Sequence, residues 1–246
     1  MEIPRPPQAV TFDCWSTLIA DVDWEGALMA RARHLQEIAR RDGVELDSER
    51  ARELMEGSWL EHVSKWRDGK MFGPEGAARW CLVQLGIEVT EQVAGQLADT
   101  IAEATSRVGV RVVEGAAHAL ETVRARGIPT ALICDTGFTP GRVVRRLLAE
   151  LEVHLDQYLF SDEVGVPKPQ QGIFTAALQA VGAPAEKSVH IGDLRRTDIA
   201  GARAAGMATI RFAGVHDDAW TEEEAQGEEG DVVLHHWDDL YDALGI

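Results

Sequence analysis

Short apolar runs that stop at polar residues alternate along this chain with longer stretches of helical periodicity. The first run covers Ala9 to Phe12 and stops at Asp13, which is typical of a short buried strand. From about Asp21 to Val108 the apolar positions recur at helical spacing among many charged residues, and glycines stand where helices would begin or end. The pattern predicts that this long segment is all-helical.

Beyond about Val112 apolar runs and amphipathic segments take turns. The runs are IPTALIC, YLFS, SVHIG, ATIRFAG and DVVL, and the segments between them include GRVVRRLLAEL and GIFTAALQAVG. Strands that alternate with helices predict a parallel sheet covered by helices on both faces. We therefore expect an α/β fold whose first strand is separated from the other strands by a helical insertion.

The charge balance narrows the possible partners. Lys and Arg number 24 and Asp and Glu 41, which gives a net charge of −17 at pH 7. Such a surface repels nucleic-acid phosphates and anionic membranes. We therefore expect a small-molecule substrate and no nucleic-acid or membrane partner. The protein is expected to be a monomer or a homodimer. The acidic stretch from Asp217 to Asp231 is predicted to be a solvated loop.

The cysteines and the apolar runs bear on the compartment. The chain has 3 cysteines without CxxC spacing, so neither a disulfide framework nor a thiolate zinc site is expected. The N-terminal segment lacks the basic start and apolar run of a signal peptide, and no run is long enough to span a bilayer. A cytoplasmic location is predicted.

Polar residues follow the apolar runs at four points. In an open parallel sheet such residues meet at the carboxyl edge, where ligands bind. They are Asp13, Cys134, Asp135, Thr136, Gly137, Lys168, Asp193 and Asp198.

The chemistry of this set suggests phosphoryl transfer. Asp13, Asp193 and Asp198 would repel one another unless a divalent cation or Lys168 neutralised them. Oxygen ligands without His or Cys suit Mg²⁺, which binds through one or two carboxylates, waters and a substrate phosphate. A carboxylate can also attack phosphorus while a lysine and a metal offset the charge of the transferring group.

Four segments, TFDCWSTLI, LICDTG, GVPKPQQGIF and HIGDLRRTDIAGARAAGM, resemble in order and spacing the motifs of the haloacid dehalogenase superfamily. The resemblance covers roughly residues 9–18 and 112–244. It implies a Rossmann-like catalytic core of residues 1–20 and 109–246, with a helical cap domain of residues 21–108 inserted after the first motif.

The resemblance also implies roles for individual residues. Asp13 would be the nucleophile, and Lys168 would steady it and the phosphoryl group. Mg²⁺ would be held by the Asp13 carboxylate, the backbone carbonyl of Trp15 and Asp193, with Asp198 beside the metal. The implied activity is a Mg²⁺-dependent phosphatase that acts on a small phosphorylated metabolite through an aspartyl intermediate.

The first motif departs from the phosphatases of this superfamily. They usually carry an aspartate, the general acid and base, where this chain has Trp15. An indole cannot exchange a proton near neutral pH, and losing that role costs about 10²- to 10⁴-fold in rate. Asp21, Asp23 or a cap residue such as His62 or Lys65 could supply the proton instead.

Two other branches of the superfamily stay open as alternatives. An aromatic residue at position 15 resembles the branch that removes halide from 2-haloacids, which needs neither metal nor acid. That branch usually has serine where this chain has Asp193, so the aspartate favours Mg²⁺. A phosphonate-cleaving branch also lacks the acid in its first motif and uses a cap lysine, for which Lys65 and Lys70 are candidates.

The second motif departs as well, since the family usually has Ser or Thr where this chain has Cys134. A thiol is a weaker donor to phosphate than a hydroxyl. Thr136 and the backbone N–H groups of Thr136 and Gly137 are expected to bind phosphate instead. Asp135 would either repel the substrate or serve as the missing proton donor.

An alternative of another class is a catalytically impaired protein that binds a ligand or a partner. The substitutions at Trp15 and Cys134 allow it, and fold alone cannot decide. The retention of three acids around one lysine argues against it.

Overall fold

The computed structural model describes residues 1–215 and 227–246. Within these two ranges, no helix has both the length and the apolar character needed to cross a membrane.

The core of the fold is a six-stranded sheet with the strand order β5-β4-β1-β6-β7-β8, in which all paired neighbours are parallel. Two further strands, β2 and β3, form a separate two-stranded sheet. The strands are β1 Ala9–Phe12, β2 Ile19–Asp21, β3 Val110–Val112, β4 Thr130–Cys134, β5 Gln157–Phe160, β6 Ser188–Gly192, β7 Ala208–Phe212 and β8 Val232–Leu234.

Strand β1 lies in the middle of the large sheet. Phe12 pairs with Leu132 of β4 on one side and with Ile191 of β6 on the other. All residues of β1 are buried, as expected for a parallel strand that is covered on both faces. The register therefore brings Asp13, the next residue, to the carboxyl edge of the sheet between the ends of two neighbouring strands.

The helices follow the strands as the periodicity predicts. They are α1 Trp24–Arg41, α2 Ser48–Arg67, α3 Gly73–Gln84, α4 Glu91–Val108, α5 Ala116–Ala125, α6 Gly141–Glu150, α7 Ser161–Val164, α8 Gln171–Val181, α9 Ala200–Ala204 and α10 Leu240–Leu244. Short 3₁₀ segments lie at Ala185–Lys187 and Trp237–Asp239, and a π-helical turn at Arg195–Ile199 precedes α9. The six-stranded parallel sheet with its helices confirms the predicted α/β fold.

The helical insertion has clear sequence signals at its helix starts. Asp23 caps α1 by accepting from the Gly26 N–H, and Asp47 and Thr90 cap α2 and α4 in the same way. Such caps satisfy an N–H that would otherwise lack a partner. The apolar faces of α1 to α4 pack into one core of Leu, Ile, Ala, Met and Cys side chains.

The chain divides into two compact units. One consists of residues 1–20, 111–135 and 148–246, and the other of residues 21–110 and 136–147. The second unit holds α1 to α4 and includes a short segment that the sequence analysis assigned to the core. The predicted domain boundaries, with a cap of residues 21–108, stay a prediction.

Two features differ from the sequence-based expectations. The strands β2 and β3 were not predicted, because three residues are too few for an alternating pattern to be recognised. The acidic stretch before β8 was predicted to be solvated, and its residues 217–226 lie outside the described part of the chain. Within the described part, residues 227–229 are exposed as predicted, but Glu229 also pairs with Arg211 at 2.5 Å and Asp231 with Arg203 at 2.9 Å.

Candidate active site

Asp13 occupies the carboxyl end of β1. Its N–H donates to the Ile191 carbonyl at 2.8 Å, which continues the ladder with β6 and fixes the direction of the side chain. Its Oδ1 accepts from Lys168 Nζ at 2.5 Å and its Oδ2 from Thr17 Oγ1 at 3.1 Å. Both oxygens of this buried carboxylate are thereby oriented before any ligand binds.

Lys168 is buried among acids. Its Nζ donates to Asp13 at 2.5 Å and to Asp198 Oδ1 at 2.6 Å, and only 2% of the residue is exposed. The flanking prolines restrict its backbone, and its N–H donates to Asp135 Oδ1 at 2.9 Å. The chain therefore fixes both ends of this lysine.

Asp198 lies in the π-helical turn after β6 and is saturated with donors. Its Oδ1 accepts from Lys168 and lies 3.1 Å from His190 Nε2. Its Oδ2 accepts from the Leu194 N–H at 3.1 Å and from Thr197 Oγ1 at 3.4 Å. Four protein donors surround this carboxylate. Lys168 is the one among them that also contacts Asp13.

The pKa values reflect this environment. Burial raises the pKa of Asp13 to about 6, although Lys168 lowers it. Burial alone would lower the pKa of Lys168, but Asp13 and Asp198 outweigh it and raise that pKa well above its usual range. Burial likewise opposes ionisation of Asp198, yet Lys168 and His190 hold the pKa of Asp198 below its usual range. At pH 7 the lysine is charged and both acids are mainly ionised.

Asp193 completes a cluster that could hold a metal ion. One carboxylate oxygen each of Asp13, Asp193 and Asp198 lies within 4.8 Å of the others. Ligands on opposite sides of Mg²⁺ are about 4.2 Å apart, given a bond of about 2.1 Å, so small side-chain adjustments suffice. Burial and the neighbouring carboxylates raise the pKa of Asp193. A divalent cation would relieve this repulsion, so the donor set fits Mg²⁺.

Cys134 and Asp135 lie at the end of β4, next to Asp13. Cys134 is fully buried, and burial followed by the neighbouring Cys14 raises the pKa of its thiol well above the usual range. Its Sγ donates to the Asp135 carbonyl at 3.4 Å. A protonated, enclosed thiol has little capacity as a catalyst, so these contacts favour packing for Cys134 and positioning of Lys168 for Asp135.

Trp15, Thr136 and Gly137 have different surroundings. Trp15 is partly buried and bridges to Ile19. Thr136 and Gly137 belong to the unit that contains α1 to α4. A Cβ at Gly137 would lie 3.1 Å from the Trp59 ring, closer than an ordinary contact, so the indole would have to shift slightly to admit a larger residue. The phosphate-binding roles predicted for Thr136 and Gly137 and the metal-binding role predicted for the Trp15 carbonyl stay predictions.

The residues proposed to replace the missing acid are partly engaged elsewhere. The Asp23 carboxylate caps α1, and Lys65 pairs with Glu61 at 3.1 Å. His62 is buried, and burial lowers its pKa to about 4, so it is neutral at pH 7. Asp21 is exposed, as Asp23 is, and partial burial raises the pKa of Asp21 although Arg31 lowers it.

The sequence analysis missed His190. It is fully buried on β6, and its ring connects Thr11 Oγ1, 2.8 Å from Nδ1, to Asp198. Its only signal in the sequence is a polar residue inside the apolar run SVHIG, two positions before the Gly-Asp pair. Thr17 lies in the first motif, but its bond to Asp13 could be found only in the structure.

Comparison with known proteins agrees with these observations. The family model of haloacid dehalogenase-like hydrolases matches residues 7–206. A segment is 36% identical over 95 residues to the glyceraldehyde 3-phosphate phosphatase of Methanopyrus kandleri, covering 35% of this chain and 41% of that protein. Another is 36% identical over 92 residues to the phosphoserine phosphatase of Thermus thermophilus, covering 37% of this chain and 36% of that protein. The chain thus spans about two fifths of the length of these relatives.

A solved structure extends the likeness to the whole fold. The HAD-hydrolase YfnB from Bacillus subtilis, bound to magnesium, superposes with a TM-score of 0.66 over 100% of both chains at 17% identity. At this identity the likeness concerns the fold.

Proposed function

We propose that this chain, which belongs to the haloacid dehalogenase-like hydrolase family, is a Mg²⁺-dependent phosphatase of small phosphorylated metabolites. The observation that carries the proposal is the buried contact of Lys168 Nζ with both Asp13 and Asp198. A cation held against a carboxylate at the end of the central strand suits attack on an anionic phosphoryl group. The names of the curated relatives support the substrate class.

In the first step an Asp13 oxygen attacks phosphorus while the bond from phosphorus to the ester oxygen breaks, and the alcohol or phenol leaves as its oxide, which takes a proton from water. The Thr17 hydroxyl holds one Asp13 oxygen and Lys168 the other, so the carboxylate presents a fixed direction of attack. In the second step water attacks the phosphorus of the aspartyl phosphate. The bond to the Asp13 oxygen breaks, inorganic phosphate leaves, and the carboxylate is restored.

Asp13 and Asp193 would hold Mg²⁺ together with the Trp15 carbonyl, and Asp198 would border the site. The ion would offset negative charge on the transferring phosphoryl group when bound. Lys168 contributes in the same direction, because its charge is buried and close to Asp13. An excess of acids over this single lysine supports a cation in the site.

Activity toward a panel of compounds tests the proposal. The panel contains phosphoserine, glyceraldehyde 3-phosphate, an aryl phosphate, a phosphonate and a 2-haloacid, each with Mg²⁺ and with a chelator. We expect Mg²⁺-dependent release of phosphate from the esters. Asp13→Asn should lower kcat at least about 10³-fold, because an amide is a poor nucleophile. Glu186→Gln, at an exposed site of the same unit, is the matched control and should leave kcat unchanged.

The other outcomes distinguish the alternatives. Chloride release without Mg²⁺ would favour a dehalogenase, and turnover of the phosphonate alone would favour the phosphonate-cleaving branch. Full activity of Asp13→Asn would disprove the nucleophile assignment. Neither turnover nor Mg²⁺ binding with any compound would favour a ligand-binding protein.

A further inference from the structure

His190 connects the interior of the sheet to the candidate active site. It lies on β6 opposite Thr11 of β1 in the parallel register. Thr11 Oγ1 lies 2.8 Å from Nδ1, and Asp198 Oδ1 lies 3.1 Å from Nε2. The Phe174 ring stands edge-on to the imidazole, with centroids 5.2 Å apart at 87°. The imidazole is therefore packed against Phe174 and has a hydrogen-bond partner at each of its two nitrogens.

The hydrogen-bond directions follow from the partners. An ionised carboxylate can only accept, so Nε2 must carry the proton that it shares with Asp198. Nδ1 faces Thr11 Oγ1 at 2.8 Å, and the Thr11 hydroxyl donates to the Val189 carbonyl at 3.5 Å, so Thr11 holds this side of the ring. His190 thus presents a directed N–H to one oxygen of Asp198.

That same oxygen accepts from Lys168. Oδ1 of Asp198 receives both the His190 N–H and the Lys168 ammonium, while Oδ2 is held by the Leu194 N–H. Lysine has a flexible stem of four carbons, so the position of its ammonium depends on the acceptors around it. Because both oxygens of Asp198 are held by donors, its Oδ1 stays in one position as an acceptor for the Lys168 ammonium.

We propose that His190 is a positioning residue, which rests on the proposed function: with Thr11 it orients Asp198, so that Lys168 is held against Asp13. His190 has 0% exposure, so it touches no substrate and acts through Asp198. Supporting groups of this kind typically change activity by about 10- to 100-fold when removed.

Three variants separate orientation from packing. His190→Gln keeps an N–H that can reach Asp198, whereas His190→Met fills a similar volume without a donor. Thr11→Val keeps the β-branched shape on β1 and removes the hydroxyl that lies 2.8 Å from His190 Nδ1. Steady-state kinetics with the best ester of the panel give kcat and KM, and urea unfolding gives the stability of each variant.

We expect His190→Met to lower kcat about 10- to 100-fold while KM changes less than about threefold, because phosphate and metal contacts remain. His190→Gln should recover most of kcat, and Thr11→Val should fall between the two. A purely structural role would instead make kcat follow stability across the three variants. Equal kcat for His190→Met and the natural protein would overturn the proposal.

A spectroscopic measurement on the metal-free protein keeps the test independent of turnover. With ¹⁵N-labelled lysine, the Lys168 ammonium should give a slowly exchanging signal, because it is buried and bonded twice. Lys65 and Lys70 have side chains 40% and 63% exposed, so their ammonium protons exchange rapidly. The signal should persist in His190→Gln and broaden or vanish in His190→Met. An unchanged signal in His190→Met would refute the positioning role even if the natural protein proved to have no phosphatase activity.

Discussion

At Asp13 the two carboxylate oxygens have different partners, a lysine ammonium and a threonine hydroxyl. Burial raises its pKa to about 6, which leaves most of the carboxylate ionised at pH 7. Trp15, two positions after Asp13, has no group that can exchange a proton near this pH. At this scale the proposed nucleophile therefore has no evident proton donor for the leaving group beside it.

The first prediction concerns Trp15. Aryl phosphates should react about 10²- to 10⁴-fold faster than alkyl phosphates, because an aryl oxide departs without a proton. Hydrolysis of the phosphoenzyme should also be slow, giving a burst of product equal to the enzyme present. Trp15→Asp should relieve both defects, and Trp15→Phe, an aromatic control, should relieve neither. Rapid-mixing kinetics with both esters measure this.

Equal rates for the two esters, without a burst in the natural protein, would contradict this account of Trp15. Asp21 or Asp135 would then be the donor, and replacing each by its amide would identify which one. If Trp15→Asp lost both activity and stability, disrupted packing around position 15 would explain the lost activity, and the variant would not test proton transfer.

A second prediction concerns the backbone at Ser16. Its φ is +58°, a left-handed conformation that costs about 1–2 kcal/mol for a residue with a Cβ. Glycine removes this cost, but its greater conformational entropy in the unfolded chain lowers the free energy of unfolding by about 0.5–1 kcal/mol. Ser16→Gly should therefore raise the free energy of unfolding by about 0.5 kcal/mol. Ser16→Ala, which keeps the Cβ, should show no gain in urea unfolding, and a larger gain from alanine would contradict the argument.

Among the elements, α2 carries an aromatic cluster that no motif predicts. Its Trp59 and His62 lie with ring centroids 5.0 Å apart, and Phe138 packs against both. His62 Nδ1 is buried without a hydrogen-bond partner among the described residues. A histidine enclosed by aromatic rings resists protonation, so this element is sensitive to acid.

The third prediction is therefore a pH dependence of stability. Burial lowers the pKa of His62 from 6.5 to about 4, so the unfolded chain binds a proton at higher pH than the folded one. Stability is fully present above pH 6.5 and is lost as the pH falls toward 4. Between about pH 7.5 and about pH 5 this contribution falls by about 2 kcal/mol. His62→Leu should remove that part of the slope in urea unfolding.

The control is His154→Gln at an exposed position, which should keep the natural slope. A His62→Leu protein with the same loss of stability from neutral to acidic pH would show that other groups cause it.

At the scale of the whole molecule, the net charge of −17 produces self-repulsion that opposes folding. Ion pairs counter it locally, such as Arg142 with Asp99 at 3.1 Å and with Glu103 at 2.9 Å. Exposed pairs of this kind contribute little each. The repulsion is the larger effect because it acts among all surface charges.

The fourth prediction follows from this balance. Raising NaCl from about 0.02 M to about 0.3 M shortens the screening length from about 20 Å to about 6 Å. The melting temperature should rise by about 2–4 °C, because repulsion among all surface charges is screened more than the exposed ion pairs, which contribute little each, are weakened. Near the isoelectric pH of 4.8 the gain should disappear. A melting temperature that falls with salt at pH 7 would show that ion pairs dominate.

The local patterns in the sequence were sufficient for the fold class. The spacing of apolar and polar residues within a short segment is enough to predict a strand or a helix. For this reason β1 and the helices from α1 to α4 could be predicted from periodicity and from residues typical of helix ends. The residues at the carboxyl edge could be predicted too, because parallel strands bring their ends together whatever the connections are. Asp13, Lys168 and Asp198 meet for this reason.

The tertiary structure decided the partners of each side chain. The sequence by itself determined which residues carry charge, which segments are buried, and that three acids and a lysine share one edge of a sheet. It did not determine that His190 bonds Asp198, or that Asp135 accepts from the Lys168 N–H. Such contacts join residues far apart in the chain, and they depend on strand register and side-chain direction, which leave no periodic trace in the amino-acid order.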